Sequence, residues 1–164
     1  MSVVPSTRQA VLRVVPLPDF TIANLPVSDY DTGVYTPAVT GSSGGTFLAN
    51  ASGQWVKVGN LVSFTAYVDL NGANGSTGNM QISLPPFAVS ASAPTLASIN
   101  IGYASMTLTS GYGQILGRIG PGSTSALLIQ YSADNTALGF ATVPVTAAGA
   151  ATFFYVNGQY ATDD

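Results

Sequence analysis

The sequence of 164 residues contains no cysteine, histidine or glutamate, and only eleven of its residues are charged. A catalytic serine or cysteine needs a thiol or an activating imidazole, and this chain has neither. Zinc, iron and copper sites also draw on cysteine and histidine, so only aspartates and backbone carbonyls remain as ligands for hard cations. We therefore expect no enzymatic activity, no metal site, no cofactor and no disulfide framework.

The charge balance also limits the partners. Seven aspartates stand against four cations, which gives a net charge of −3 and leaves no basic stripe for a phosphate backbone, so we expect no nucleic-acid partner. The apolar runs near the N-terminus are short and interrupted by proline and arginine. They predict neither an export signal nor a membrane span, so we expect synthesis in the cytoplasm.

The low charge itself indicates an assembly. Hydrophobic residues make up 46% of the chain, and Arg118 is the only charged residue between Asp69 and Asp134. Soluble monomers carry about a quarter charged residues, whereas the cores of subunit interfaces are depleted in charge. This favours a subunit of an assembly over the alternative, a neutral monomer rich in serine and threonine.

The chain divides into an arm and a body. Residues 1–32 are predicted to form an extended N-terminal arm, since prolines there disfavour a helix (Pro5, Pro16, Pro18 and Pro26). Within it, Gln9 to Val15 alternates weakly, which suits a strand added to the edge of a neighbour's sheet. Residues 33–164 are enough for one domain with a single core.

The body has the two-residue period of half-buried strands. It is clearest from Leu61 to Leu70, where five apolar residues share one face (Val62, Phe64, Ala66, Val68 and Leu70). Gly59-Asn60 predicts a hairpin that joins this strand to Gln54–Val58. Further strands are expected near 33–40, 46–51, 79–84, 98–108, 112–119, 126–131, 138–143 and 150–160. Short strands at this spacing predict an all-β fold, an antiparallel jelly-roll-like β-sandwich.

Four segments together resemble a β-sandwich module of tailed bacteriophages: Gly33-Val-Tyr-Thr-Pro37, Trp55-Val-Lys-Val-Gly-Asn-Leu-Val-Ser-Phe64, Leu84-Pro-Pro-Phe87 and Phe154-Tyr-Val-Asn-Gly-Gln-Tyr160. The resemblance covers about residues 33–160. Modules of this kind are trimeric knobs that decorate capsids, or trimeric head domains of tail fibres and tailspikes. The resemblance therefore implies a structural protein of the virion that assembles as a homotrimer.

The short segment before Gly33 favours a capsid cement protein over a tail fibre, because tail fibres place such a module after a long shaft. On this interpretation the protein binds the major capsid protein at the capsid surface and stabilises the mature shell, since added contacts resist heat and internal pressure. The arm is then the anchor, with five residues as candidate contacts to the capsid or a neighbouring knob (Arg8, Val11, Arg13, Val15 and Phe20). Simple solvation of both arginines is the alternative.

The second interpretation is a tail fibre or tailspike that recognises a polysaccharide of the host surface. Five aromatic residues are candidates for stacking on sugar rings if they face outward (Trp55, Tyr67, Tyr103, Tyr112 and Tyr131). Aromatic residues of this kind lie more often in a core or a subunit interface.

Two pairs of aspartates are the remaining candidates for chemistry. Asp29 and Asp31 begin a pattern typical of a calcium loop, but the closing glutamate is replaced by Thr40, which favours an Asx-turn. Asp69 and Asp134 are a conceivable hydrolytic pair only if their carboxyl groups come within about 5–9 Å of each other. Solvation is the ordinary state of such residues, so we assign no metal to the first pair and no catalytic role to the second.

Overall fold

The computed structural model describes residues 30–92, 97–132 and 140–163, and the predicted arm contacts between Arg8 and Phe20 lie outside these ranges. None of the described residues is α-helical. The strands are β1 (Tyr30–Tyr35), β2 (Val39–Gly41), β3 (Leu48–Val58), β4 (Leu61–Gly72), β5 (Met80–Ser83), β6 (Ala97–Met106), β7 (Tyr112–Ile119), β8 (Ser125–Ser132), β9 (Phe140–Thr142) and β10 (Ala148–Ala161). One turn of 3₁₀ helix, Val145–Ala147, precedes β10.

The ten strands form one continuous sheet in the order β1-β3-β4-β10-β6-β7-β8-β5-β2, with β9 paired to β8. Every pairing is antiparallel. The sheet curls around one hydrophobic core to which both of its halves contribute. The predicted all-β, antiparallel, sandwich-like fold is therefore confirmed, with the two layers joined in a single curled sheet.

Strand β4 has the predicted inward face. Residues 62, 64, 66, 68 and 70 are all buried, whereas the residues between them are half-buried or exposed. The predicted hairpin is also confirmed, because Val58 pairs with Leu61 across Gly59, whose φ is +56°. A positive φ suits glycine, which has no Cβ to clash with the backbone.

The division of the chain into strands differs from the prediction at two places. The segments 46–51 and 54–58 form one continuous strand, β3, and the segment 33–40 contains two strands, β1 and β2. Gly53 looks like a strand break in the sequence, but the ring of Tyr35 lies directly over it and occupies the space of a side chain. Strand β1 begins at Tyr30, ahead of the boundary at residue 33, and the division into arm and body stays a prediction.

Strands β1 and β3 exchange aromatic rings across glycines. Gly33 pairs with Trp55, and Tyr35 pairs with Gly53. A Cβ on Gly33 would lie 2.6 Å from the Trp55 ring, so the indole occupies that space. Each ring covers the exposed backbone of the glycine opposite, a pairing that stabilises glycine in strands.

The four segments that carry the family resemblance meet in one aromatic cluster of the core. The Trp55 and Phe87 rings pack edge to face at 4.7 Å, and Phe64 packs against Tyr160 at 6.0 Å and Tyr35 at 6.4 Å. The Tyr160 hydroxyl donates a hydrogen bond of 3.0 Å to the carbonyl oxygen of Phe87, and burial raises the pKa of this hydroxyl above its ordinary value. The resemblance therefore lies in residues that pack the core.

Ile99 of β6 lies between two glycines. It pairs with Gly117 of β7 on one side and Gly158 of β10 on the other. A Cβ on Gly158 would lie 2.9 Å from the Ile99 Cβ, and one on Gly117 would lie 2.7 Å from its Cδ1. The branched side chain of Ile99 thus fills the space that both glycines leave open.

The C-terminal end of the described chain is tied to the loop after β5. The Asp163 carboxylate accepts hydrogen bonds from the Ser90 hydroxyl and, at 2.8 Å, from the backbone N–H of Ala91. These two bonds, the hydroxyl first, lower the pKa of Asp163.

Candidate functional site

The outer face, defined here as the outward side chains of β1, β3, β4 and β10, is nearly free of charge. Asp69 is its single charged residue within these described strands. Exposed apolar side chains are frequent on it, and the large ones are Tyr30, Val34, Leu48, Val56, Val58, Leu61 and Tyr155. An exposed apolar patch on a folded domain is typical of a binding surface.

Three aromatic rings, called here the ring cluster, stand together at one end of this face. Tyr67 of β4 pairs directly with Tyr155 of β10, and their ring centroids are 5.2 Å apart. Phe153 lies 5.7 Å from Tyr155 and 6.4 Å from Tyr67. Tyr155 is 57% exposed, so more than half of its surface is open to solvent. Desolvation, the Asp69 charge and Tyr155, in that order, raise the pKa of Tyr67.

A shallow groove of about 420 Å³ adjoins the ring cluster and is lined by Val34, Ser52, Gly53, Gln54, Thr65, Ala66, Tyr67 and Tyr155. The side chains of Ser52, Gln54 and Thr65 have no hydrogen-bond partner within the described ranges. On the other side of Tyr155, its partner in β6 is Gly102, which adds no side chain. The site therefore combines an open ring with uncharged hydrogen-bonding groups.

A bulge in β10 sets the orientation of Phe153 and Tyr155. The pairing of β10 with β6 shifts between Ala148 and Phe153. Ser105 and Ala151 have φ values of +59° and +76°, which are unusual for residues with a side chain. The buried Thr152 holds the bulge, since its hydroxyl donates to the Ser105 carbonyl at 2.8 Å. Bulges often aim side chains beside functional sites.

A second aromatic pair lies on the other half of the sheet. The Tyr131 and Phe140 rings are 6.3 Å apart, and the Arg118 guanidinium lies 5.4 Å from the Phe140 ring centroid. Phe140 is 53% exposed. The positive charge of Arg118 lies beside this pair, whereas the charged neighbour of the ring cluster is Asp69, so the two aromatic groups differ in chemistry.

The structure separates the five aromatic residues selected from the sequence. Trp55 is only 8% exposed and lies in the core, so it is not a surface aromatic, which corrects its candidacy for sugar stacking. Tyr103 is half-buried on the inward side of β6, and its hydroxyl donates to the Gly113 carbonyl. Tyr112 is half-buried at the start of β7. Tyr67 belongs to the ring cluster, and Tyr131 belongs to the second pair.

Sequence reasoning missed Phe153 and Tyr155. Their outward orientation could have been predicted, because inward residues at 154 and 156 in a strand with a two-residue period leave 153 and 155 facing outward. Their position beside Tyr67 could not, because the direct pairing of Tyr155 with Tyr67 is a long-range contact. Nothing in the local pattern specifies which strand lies beside β10.

The aspartate pairs are not brought into a site by the described residues. Asp31 lies in β1, where its Oδ1 accepts the Thr32 N–H at 2.8 Å, while Asp29 and Asp134 lie outside the described ranges. Among the residues placed by the structure, no three metal-binding side chains cluster. Those residues also include no helix that is long and apolar enough to cross a membrane.

The fold is similar to that of a phage protein. The crystal structure of the Dettilon tailspike protein (gp208) matches with a TM-score of 0.64 at 17% sequence identity. The match covers 82% of this chain and 24% of the tailspike chain, so this chain spans about a quarter of that protein. No protein-family model matches the sequence, and no curated protein matches it. At this level of identity the similarity is one of fold.

Proposed function

We propose that this chain is a structural β-domain of a phage tail fibre or tailspike, that it sits at the tail of the virion, and that it contributes to contact with the host surface. The observation that supports the proposal is the similarity of fold over most of this chain to part of a tailspike. The neutral outer face with its open ring cluster is compatible with such a role. Catalysis is not part of the proposal, because the chain contains no histidine, cysteine or glutamate.

The capsid cement interpretation is the second candidate, and its basis is the low charge of the chain, which is typical of a subunit in an assembly. The similarity of fold is to a tail protein, which favours the tail. The two candidates predict different positions on the particle, so one labelling experiment separates them.

The proposal includes self-association as a homotrimer. Four exposed apolar side chains form an apolar corner at the end of the outer face opposite the ring cluster (Tyr30, Val56, Val58 and Leu61). Tyr30 pairs with Val58, and Val58 pairs with Leu61, so three of them lie in one row across β1, β3 and β4. No charged side chain interrupts this row, and the core of a subunit interface has the same character. A second copy of the chain is the proposed occupant.

Labelling of intact particles tests the location. Antibody fragments raised against residues 30–163 would be bound to purified virions and imaged by electron microscopy. Density at the tail or on fibres is expected. Density spread over the shell would overturn the tail proposal and support the cement interpretation.

A charge substitution tests the apolar corner. Val58→Arg places a charge in the corner, whereas Leu48→Arg changes an equally exposed residue at the other end of the same strand, since both are 56% exposed. We expect light scattering to give three times the chain mass for the unsubstituted protein and for Leu48→Arg, and a smaller mass for Val58→Arg. An unchanged trimer in Val58→Arg would exclude the corner as the interface.

A further inference from the structure

The ring cluster and its groove have the chemistry of a carbohydrate site. A pyranose ring presents apolar C–H faces and a rim of hydroxyl groups. An aromatic ring in a protein offers a flat apolar face of matching size, and polar side chains beside it fix the orientation of the ligand. Tyr155 supplies the open ring, with Tyr67 at 5.2 Å and Phe153 at 5.7 Å supporting it from two sides.

The polar groups beside the ring are available for binding. Ser52, Gln54 and Thr65 line the groove, and the structure gives none of their side chains a hydrogen-bond partner among the residues it describes. Two hydroxyls and an amide offer both donors and acceptors, which are the groups that sugar hydroxyls need. Other polar residues nearby are paired: Gln159 of the outer face bonds to Ser63 at 3.4 Å, and Asn157 bonds to Asn100 of the neighbouring strand β6 at 3.4 Å.

The charge of the site selects the kind of sugar. Asp69 is the only charged side chain on the outer face in the described strands, and it lies beside the ring cluster, since it pairs directly with Phe153 of β10. An anionic sugar would meet this carboxylate without a cation to offset it. A neutral sugar has no such cost.

The backbone beneath the cluster is built with local strain. Two residues with side chains, Ser105 and Ala151, adopt positive φ values at the bulge that precedes Phe153. Thr152 is fully buried there and bridges both strands, accepting the Gly149 N–H at 3.1 Å and donating to the Ser105 carbonyl. Strained backbone that the surrounding structure holds in place clusters at binding sites.

We infer that the ring cluster, with Ser52, Gln54 and Thr65, binds a neutral pyranose unit of an oligosaccharide by stacking on Tyr155. Only the source of the sugar, a polysaccharide of the host surface, rests on the proposed function. Leu61 of the apolar corner lies about 20 Å from the ring cluster, since Leu61 and Tyr67 are six residues apart along β4. Val56 of the corner is only two residues from Gln54 along β3, so the corner adjoins the polar side of the groove and leaves the rings themselves free.

Binding of defined sugars tests the inference. The probes are neutral gluco-, galacto- and manno-configured oligosaccharides of two to six units, with uronic acid oligosaccharides of equal length for comparison. Isothermal titration and saturation-transfer NMR would measure binding to the full chain. We expect saturable binding of at least one neutral probe and at least tenfold weaker binding of its uronic acid counterpart.

Variants locate the site. Tyr155→Ala should raise the Kd for the neutral probe at least tenfold, whereas Tyr155→Phe should retain binding because the ring is kept. Phe140→Ala removes a ring of similar exposure from the second aromatic pair and should leave the Kd unchanged. Circular dichroism and the melting temperature would show that each variant is folded.

Two results would overturn the inference: no saturable binding to any neutral probe, or equal binding by Tyr155→Ala and the unsubstituted protein. Failure here is distinguishable from failure of the proposed function. Antibody density at the tail without sugar binding would remove the carbohydrate site alone. Sugar binding that depends on Tyr155, with antibody density on the shell, would remove the tail location alone.

Discussion

Replacement of Gly158 by alanine should destabilise the protein mainly through Ile99, because the next contact, with Cε1 of Phe64, would be longer, at 3.3 Å. The glycine has an ordinary φ, so an alanine there is not strained by its backbone, but its Cβ would overlap Ile99. Overpacking of a core costs about 1–3 kcal/mol. The loss of a flexible glycine from the unfolded chain offsets this cost by about 0.4–1 kcal/mol.

Replacement of Ile99 by alanine removes the branched side chain that a Cβ at position 158 would overlap. Ile99 is 1% exposed, and Ile99→Ala should cost about 2–5 kcal/mol because it leaves a cavity. In the double variant the Gly158→Ala methyl group enters that cavity and meets no branched side chain. The double variant should therefore be more stable than the sum of the two single changes predicts, by about 1–3 kcal/mol.

Urea unfolding followed by fluorescence measures this coupling. Trp55 is the only tryptophan and is buried, so its emission reports loss of the core. All variants must be compared at one protein concentration, since self-association changes apparent stability. Gly149→Ala is the matched control in the same strand, because a Cβ there meets nothing within 4 Å. It should leave the unfolding free energy unchanged or raise it slightly.

The reasoning is refuted if the two single changes add without coupling. It is also refuted if Gly158→Ala is as mild as Gly149→Ala. Either result would mean that the space between β6 and β10 is larger than the structure shows.

Two further predictions concern pH. The pKa of Asp163 is lowered in the folded protein by the hydrogen bonds that its carboxylate accepts. These bonds stabilise the folded state fully above the unfolded pKa of about 3.9, and the stabilisation is lost as pH falls through the folded pKa. Thermal melts from pH 7 to pH 2 should therefore fall more steeply for the unsubstituted protein than for Asp163→Asn, and parallel curves would contradict this. Burial raises the pKa of Tyr160, so the direction of the pH effect is reversed. The hydroxyl stabilises the folded state fully below the unfolded pKa of about 10, and this stabilisation is lost as pH rises through the folded pKa. Tyr160→Phe should lower the free energy of unfolding by about 0.5–1.5 kcal/mol at neutral pH. Urea unfolding from pH 7 to pH 12 should then show a smaller alkaline loss of stability for this variant than for the unsubstituted protein, and equal losses would contradict the argument.

The resemblance to the phage module and the candidate site depend on different residues. The quoted segments contain Trp55, Phe64, Phe87 and Tyr160, which pack against one another in the core. Core aromatic residues specify a fold and leave the function open. This is why the segments predicted the architecture well and left the choice between capsid and tail open.

The sequence alone determined the class of the fold, the inward face of β4, the hairpin at Gly59 and the lack of cysteine, histidine and glutamate. These features are local or compositional, since a two-residue period and a glycine turn act over neighbouring residues. The tertiary structure decided the rest. It placed Trp55 in the core, although a tryptophan suits a surface site equally well. It also paired Tyr67 with Tyr155, which are 88 residues apart in the sequence. Long-range pairing depends on how the whole sheet closes around its core, and no local pattern specifies that closure.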